Sequence, residues 1–324
     1  MKESWIKKGF VDEPIASSLN LVEEIKKLAR EKNAVILAHY YQQSDIQDIA
    51  DIIGDSLDLS RKAAETQADI ILFAGVHFMA ETAKILAPEK KVLIPDQNAG
   101  CSLADSCPPD LFEEFLQQHP DHLVVTYVNT SAAIKALSDI CCTSTNALSI
   151  IKQIPEDQKI IFAPDRNLGN YINSMTGRDM LVWDGACHVH EEFSLEKILE
   201  LKNEYPEAKI IAHPECQKPI LIVSDFVGST SALLRFASQD AATSYIVATE
   251  SGILHQMRKA SPAKTFIPAP PKDSTCACND CSFMKLHTLK KIYLTLLHEW
   301  PEVTVEEDIR IRAEKPIRRM LEMS

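Results

Sequence analysis

The sequence predicts an α/β protein: three similar αβα units with parallel sheets. Two observations carry that expectation. Short β-branched runs alternate with longer stretches of three- and four-residue apolar spacing, and the polar clusters ending those runs recur at a nearly constant offset. Candidate strands are Ala34–Ala38, Ile70–Ala74, Val92–Pro95, Leu123–Val128, Ile160–Ala163, Leu181–Trp183, Lys209–Ala212, Tyr245–Ala248 and Thr265–Ile267. Stretches such as Ile46–Gln67 and Ser194–Glu204 read as helical. Strand–helix alternation of this kind gives βαβ units, hence parallel sheets. Two amphipathic helices, Phe283–Leu297 and Val305–Met323, should pack across the units at the C-terminal end.

Three residue classes keep the same period. His39, Tyr127 and His213 end strands and stand 88 and 86 residues apart; Ser56, Ser144 and Thr230, small hydroxyl residues placed to open helices, repeat those steps. Cys101, Cys187 and Cys281 are separated by 86 and 94 residues. A triplication follows, with residues 1–120, 121–206 and 207–324 as the three units; the first carries an N-terminal extension and the third the C-terminal helices. Ligand sites of parallel sheets lie beyond the carboxyl ends of the strands. A threefold arrangement turns all three sets of loops toward one cavity.

The formal net charge of -12 argues against broad attraction to nucleic acid or an anionic membrane. No apolar run reaches the roughly 20 residues of a membrane span, and Met1 to Val11 lacks the apolar core of a signal peptide. A cytoplasmic location is therefore expected. There the nine cysteines stay reduced, and the adjacent Cys141 and Cys142 read as small buried hydrophobes. Neither a G-x-G-x-x-G nor a P-loop motif occurs, so nucleotide chemistry lacks support.

One cysteine per unit, meeting at the centre, suits a [4Fe–4S] cluster with one open iron or a zinc site with an open fourth position. In the third unit Cys276, Cys278 and Cys281 all compete for that role. Alternation at strand ends puts His39 with Tyr41, Tyr127 with Asn129, and His213 with Glu215 on one side each, as acid, base and polar contacts. His190 is the better substrate contact of the two histidines after Cys187; His188 reads as a satisfied surface or core residue without a role. At helix starts, Ser56, Ser144 and Thr230 would stand beside free backbone N–H groups that favour anions. A zinc-dependent lyase or aldolase and an iron–sulfur or thiol redox sensor are the rival functions.

AHYYQ with DIQDIADIIGDSLDLSR, FAGVHFMAETAKIL, YVNT, CTSTNA, APDRNLG, HPEC, VGSTS and the late C-x-x-C occur in one order from Ala34 to the terminal KPIRRMLEM. This ordered set resembles the quinolinate synthase family. The resemblance implies three αβα domains around a pseudo-threefold axis and one central [4Fe–4S] cluster per chain, on Cys101, Cys187 and Cys281, with one iron not bound by cysteine. It implies condensation of iminosuccinate with dihydroxyacetone phosphate to quinolinate, with the iron as Lewis acid. Glu215, His213, Tyr41 and Tyr127 would then move protons, and His39, Ser56, Asn129, Ser144, His190 and Thr230 would hold substrate. An aspartate oxidase or dehydrogenase would supply the iminosuccinate. The late C-x-C-x-x-C departs from the C-x-x-C-x-x-C of longer members, which leaves Cys276 and Cys278 without a carried-over role.

Overall fold

In the computed structural model, which describes residues 2–273 and 280–324, three four-stranded parallel sheets follow one another along the chain. The first holds β1 (Ala34–His39), β2 (Ile52–Gly54), β3 (Ile70–Ala74) and β4 (Lys91–Leu93). The second holds β5 (Leu123–Tyr127), β6 (Ile140–Cys142), β7 (Ile160–Ala163) and β8 (Leu181–Val182). The third holds β9 (Lys209–Ala212), β10 (Phe226–Val227), β11 (Ser244–Ala248) and β12 (Thr265–Pro268). Each sheet repeats one order: β2-β1-β3-β4, β6-β5-β7-β8 and β10-β9-β11-β12. The expected threefold α/β architecture is what the chain adopts.

Both faces of each sheet are covered, which is why its central strands are apolar at successive positions. In the first sheet Leu37, Ile71 and Phe73 enter one core while Ile36, Ala38 and Leu72 enter another on the opposite face. The third sheet divides Ile210, Ala212 and Ile246 from Ile211, Tyr245 and Val247 in the same way. Val125, Ile160 and Phe162 of the second sheet share the core of Leu37 and Phe73, which joins the first two units.

Residues 46–67 are not one helical stretch. A helix at Ser44–Ile49 ends, β2 intervenes, and a second helix spans Ser56–Glu65. The break is set by Asp55, whose carboxylate accepts from the backbone N–H groups of Leu57 and Asp58, both at 3.1 Å, and so fixes a new helix start. Gly54 is required by the close return of that helix: a Cβ there would stand 2.8 Å from Cβ of Asp58. The strands β2, β6 and β10 are two or three residues long, too short for a period to show. The run expected at Val92–Pro95 pairs over Lys91–Leu93 instead.

The C-terminal segments do cross the units. The helix Leu289–His298 lies on the helix Leu21–Glu31, and the helix Glu307–Glu322 contacts the helices Ala132–Ala136 and His77–Leu86 as well as β6. Just before the first of them His287, fully buried, donates from Nε2 to the Gly75 carbonyl beyond β3 at 2.6 Å.

That buried imidazole predicts an acid-sensitive fold. Burial lowers the His287 pKa from the ordinary 6.5 to about 4, so between those values the unfolded chain takes up a proton that the folded chain refuses. Stability attached to His287 is complete above pH 6.5 and is lost as the pH falls toward 4, by roughly 3 kcal/mol at most. Urea unfolding midpoints measured between pH 7 and 4.5 should fall less steeply for His287→Gln than for the unaltered chain; parallel profiles would locate the acid sensitivity elsewhere.

Candidate functional site

Three kinds of loop from three sheets open into one pocket. Its wall includes His39 and Tyr41 beyond β1, Tyr127 and Asn129 at the end of β5, and His213 and Glu215 beyond β9. The alternation outlasts the strands because an imidazole takes over from the ladder. The Tyr41 N–H donates to Nδ1 of His39 at 3.2 Å, and the Glu215 N–H donates to Nδ1 of His213 at 3.3 Å. Ser56, Ser144 and Thr230 line the same pocket, as do Cys101, Cys187, Cys281 and His190. All thirteen residues singled out from the sequence thus reach one place.

The hydroxyl residues do not all stand as expected. Ser56 and Thr230 are the first residues of their helices, but the caps are the preceding Asp55 and Ser229. Ser144 opens no helix: a turn, closed by Asn146 Oδ1 accepting from the Thr143 N–H at 2.6 Å, delays the helix to Ala147. The Asp55 carboxylate already fills the N–H groups of Leu57 and Asp58 at the Ser56 helix, so the helix start open to an anion is the one at Thr230, whereas Ser144 hydrogen-bonds His213 Nε2 at 3.1 Å.

Glu215 is the hub. Tyr127 Oη donates to its Oε1 at 2.5 Å, His190 Nδ1 lies 3.0 Å from its Oε2, and His213 Nδ1 lies 3.6 Å from Oε1. The His190 and His213 rings stack, with centroids 4.8 Å apart. Burial works to raise the Glu215 pKa, but the two imidazoles, His190 foremost, and the Tyr127 hydroxyl outweigh it and hold the group below the usual carboxylate range. Burial pushes His39 down to about 4 and His213 to about 3. Each of those rings then offers one donor and one acceptor at neutral pH. Tyr41 and Tyr127 are driven well above 10 by burial and keep their protons. Tyr41 Oη is tied to Thr230 Oγ1 at 2.9 Å and to Thr249 Oγ1 at 2.7 Å, and Thr249 also meets His190 Nε2 at 3.0 Å.

The three pocket cysteines are partly exposed, whereas Cys107, Cys141, Cys142 and Cys216 are at most 1% exposed, as expected for the adjacent pair. Cys276 and Cys278 lie outside the described residues. Burial raises the thiol of Cys101 to about 12 and that of Cys187 well above 9, and Cys281 is raised as well. Cys101 is raised further by Cys281, and Cys187 by Glu215 and then by Cys101 and Cys281. Three soft donors from three loops, beside a buried Asn129 Oδ1 with no hydrogen-bond partner, fit an iron–sulfur cluster that leaves one metal position open. A second donor set overlaps the first: ligand atoms of Cys187, His190 and Glu215 all lie within 4.8 Å of one another.

Several pocket residues escaped the sequence reading. Asp55, Val76 and Glu250 line the cavity and Thr249 borders it. Val76 and Glu250 follow β3 and β11, as the buried Asp165 follows β7. They form another loop class, third strand of each sheet, with the period already seen in the others. Glu250 accepts from the Cys281 N–H at 3.0 Å and from Lys285 Nζ at 2.9 Å, which holds the Cys281 segment to the end of β11.

Comparison with known proteins agrees with this geometry. The sequence model of the family described as Quinolinate synthetase A protein matches residues 23–322. Relatives bearing the name Quinolinate synthase include one from Chloroherpeton thalassium, 58% identical over 308 residues, covering 95% of this chain and 96% of the relative. Another from Thermosynechococcus vestitus is 61% identical over 306 residues, 94% of this chain and 96% of its own. A third from Microcystis aeruginosa is 61% identical over 305 residues, 94% and 95%.

The exposure difference among the thiols predicts their order of reaction. A small maleimide added to the reduced, metal-free protein should label Cys101, Cys187 and Cys281 before Cys107, Cys141, Cys142 and Cys216, read by peptide mass spectrometry. Labelling of all seven at one rate would contradict the buried positions of the last four.

Proposed function

The chain belongs to the Quinolinate synthetase A protein family, a family of enzymes, and from that premise we propose that it condenses iminosuccinate with dihydroxyacetone phosphate to quinolinate, releasing phosphate and water. The observation that carries the reading is that three cysteines from three loops share one pocket with a buried proton-transfer network on Glu215. We assign one [4Fe–4S] cluster per chain to Cys101, Cys187 and Cys281. Such a cluster, when bound, supplies an iron without a cysteine ligand as a Lewis acid for a substrate oxygen or nitrogen.

The chain's own groups do the rest. Glu215, ionised among Tyr127, His190 and His213, takes the proton in enolisation and returns one when water leaves. Tyr127, whose proton lies on the side of Glu215, relays it between that carboxylate and the substrate. Tyr41, also protonated, donates to an oxygen that gains charge, and His213 stands beside Glu215 and bonds Ser144 through Nε2. Thr230, at the first position of a ten-residue helix, holds a carboxylate or phosphate through backbone N–H groups, and Ser56 adds its hydroxyl from the facing helix. Asn129 Oδ1, lacking a partner, accepts from the substrate, and His39 and Ser144 complete the polar lining. Val76, Phe78, Met79 and Met284 supply the apolar wall that excludes water.

The proposal extends to a cytoplasmic enzyme that receives iminosuccinate from an aspartate oxidase or dehydrogenase, and to units divided at residues 120 and 206. Among the described residues no helix is long and apolar enough to cross a membrane. The overlapping set of Cys187, His190 and Glu215 favours one second reading, a zinc-dependent lyase.

Anaerobic purification and metal analysis separate the two. About four iron and four sulfide per chain, a broad brown absorption and quinolinate formation from the two substrates are expected; zinc near one per chain without sulfide would replace this reading with the second. In the loaded protein Glu215→Gln should keep the absorption and slow quinolinate formation by about 10²–10⁴-fold, the usual weight of a positioned base. Substantial residual turnover would remove Glu215 from that role.

A further inference from the structure

Cys101 and Cys187 stand at equivalent places, each immediately before a four-residue helix, Ser102–Asp105 and His188–Glu191. The residues that follow them bind each other. Ser102 Oγ lies 2.8 Å from His188 Nδ1 and accepts from the His188 backbone N–H at 3.3 Å. With one lone pair engaged by that N–H, the Ser102 hydroxyl keeps its proton and a second lone pair, so it bonds Nδ1 in either tautomer of His188. The third cysteine loop joins from the other side: the Phe283 ring meets the His188 ring edge to face, with centroids 6.4 Å apart and planes at 81°. Phe283 also closes on the loop before Cys101, for a Cβ at Gly100 would stand 3.5 Å from Phe283 Cε1. Ser102, His188 and Phe283 thus lie one, one and two residues after the three cysteines and touch in series.

We propose that this contact chain, with His188 as its centre, is a strap that sets the spacing of Cys101, Cys187 and Cys281 before metal arrives and slows the loss of the cluster afterward. The inference rests on the three-cysteine reading above. Glu250 already holds the Cys281 segment to the end of β11, and the strap adds a direct tie between the residues beside Cys101 and Cys187, whose thiols would otherwise move with their own loops. A hydrogen bond between the neighbours of two ligands fixes them relative to each other, as partners behind metal ligands commonly do. His188 is exposed and has no role that sequence alone suggests; its hydrogen bond is what gives it one. His188 acts as a positioning residue, not as a ligand.

The test uses full-length protein, loaded anaerobically, and follows iron release to a chelator by the decay of visible absorption. His188→Ala and Ser102→Ala should each release iron about tenfold faster than the unaltered protein, the lower range for loss of a partner behind a ligand. His188→Asn, whose side-chain oxygen can occupy the place of Nδ1, should stay within about twofold, and the double Ala variant should be no faster than either single one, because both remove one contact. All variants should keep the unaltered circular dichroism, since His188 is exposed. Loaded single Ala variants that release iron at the unaltered rate, or an Asn variant as fast as His188→Ala, would overturn the strap. Unaltered protein that takes up no cluster, or keeps it after Cys101→Ala or Cys187→Ala, would overturn the three-cysteine reading and the strap with it.

Discussion

A carboxylate removed from water must have its lone pairs filled, and Asp55 fills them from all three units. Its own helix supplies the N–H groups of Leu57 and Asp58, the second unit supplies the Thr145 hydroxyl at 2.8 Å, and the third supplies the Ser231 hydroxyl. An unpaired charge at 5% exposure would be strongly destabilising. The donors belong to separate sheets, so they can be satisfied together only where the three sets of loops meet. Without such a tie the identical strand orders would give three similar layers and no common pocket. Asp55 is therefore both the cap that starts the helix Ser56–Glu65 and the point at which that helix, the turn before Ala147 and the helix Thr230–Gln239 are drawn together.

Convergence of loops away from water decides what the other ionisable groups can do. Glu215 stays ionised because imidazoles and a phenol crowd its oxygens. Glu250 sits a short way off with different partners, and burial pushes it up to about 7 against the pull of Lys285. Two carboxylates of one pocket thus titrate apart, and their neighbours account for the difference. Glu250 spends its oxygens on the N–H groups of Gly252 and Cys281 and on Lys285, so it orders a loop. Glu215 keeps company with groups that can pass a proton. The same reasoning places Tyr41 between the first and third units: its hydroxyl bonds to Thr230 and Thr249, and its backbone carbonyl accepts from Lys285.

Much of this was legible in the sequence because a repeat writes the same message three times. His39, Tyr127 and His213 were recognisable from their spacing alone, and β3, β7 and β9 coincide with the apolar runs that predict them. The edge strands β2 and β10 were not, since two or three residues carry no period and their apolar side chains merge with the helical spacing on either side. Ser56 and Thr230 do open helices, as their spacing predicts, though the preceding Asp55 and Ser229 are the caps. At Ser144 the helix start is displaced to Ala147, since the Thr143–Asn146 turn has no counterpart in the other units. Asp55, Thr249 and Glu250 were missed because carboxylates and threonines at strand ends are ordinary surface residues in most proteins. Only the contacts from other units, invisible along one chain, make them buried.

Those contacts also explain why three thiols can share a pocket with a carboxylate. Cys187 is raised first by burial, then by the charge of Glu215, then by Cys101 and Cys281. If all four groups were ionised with nothing to offset them, the repulsion would act in a region of low dielectric, where it is least screened. The stable arrangement without metal is one carboxylate with its donors and three neutral thiols. On the three-cysteine reading, thiolates would form there only as a bound cationic centre replaced their protons, so metal uptake would release protons and be disfavoured by acid. The neutral imidazoles of His39 and His213 follow from burial, which outweighs the pull of Asp55 and Glu215. What the loops converge on is thus a cavity whose charge state is completed by its contents, with Glu215 held ready before they arrive.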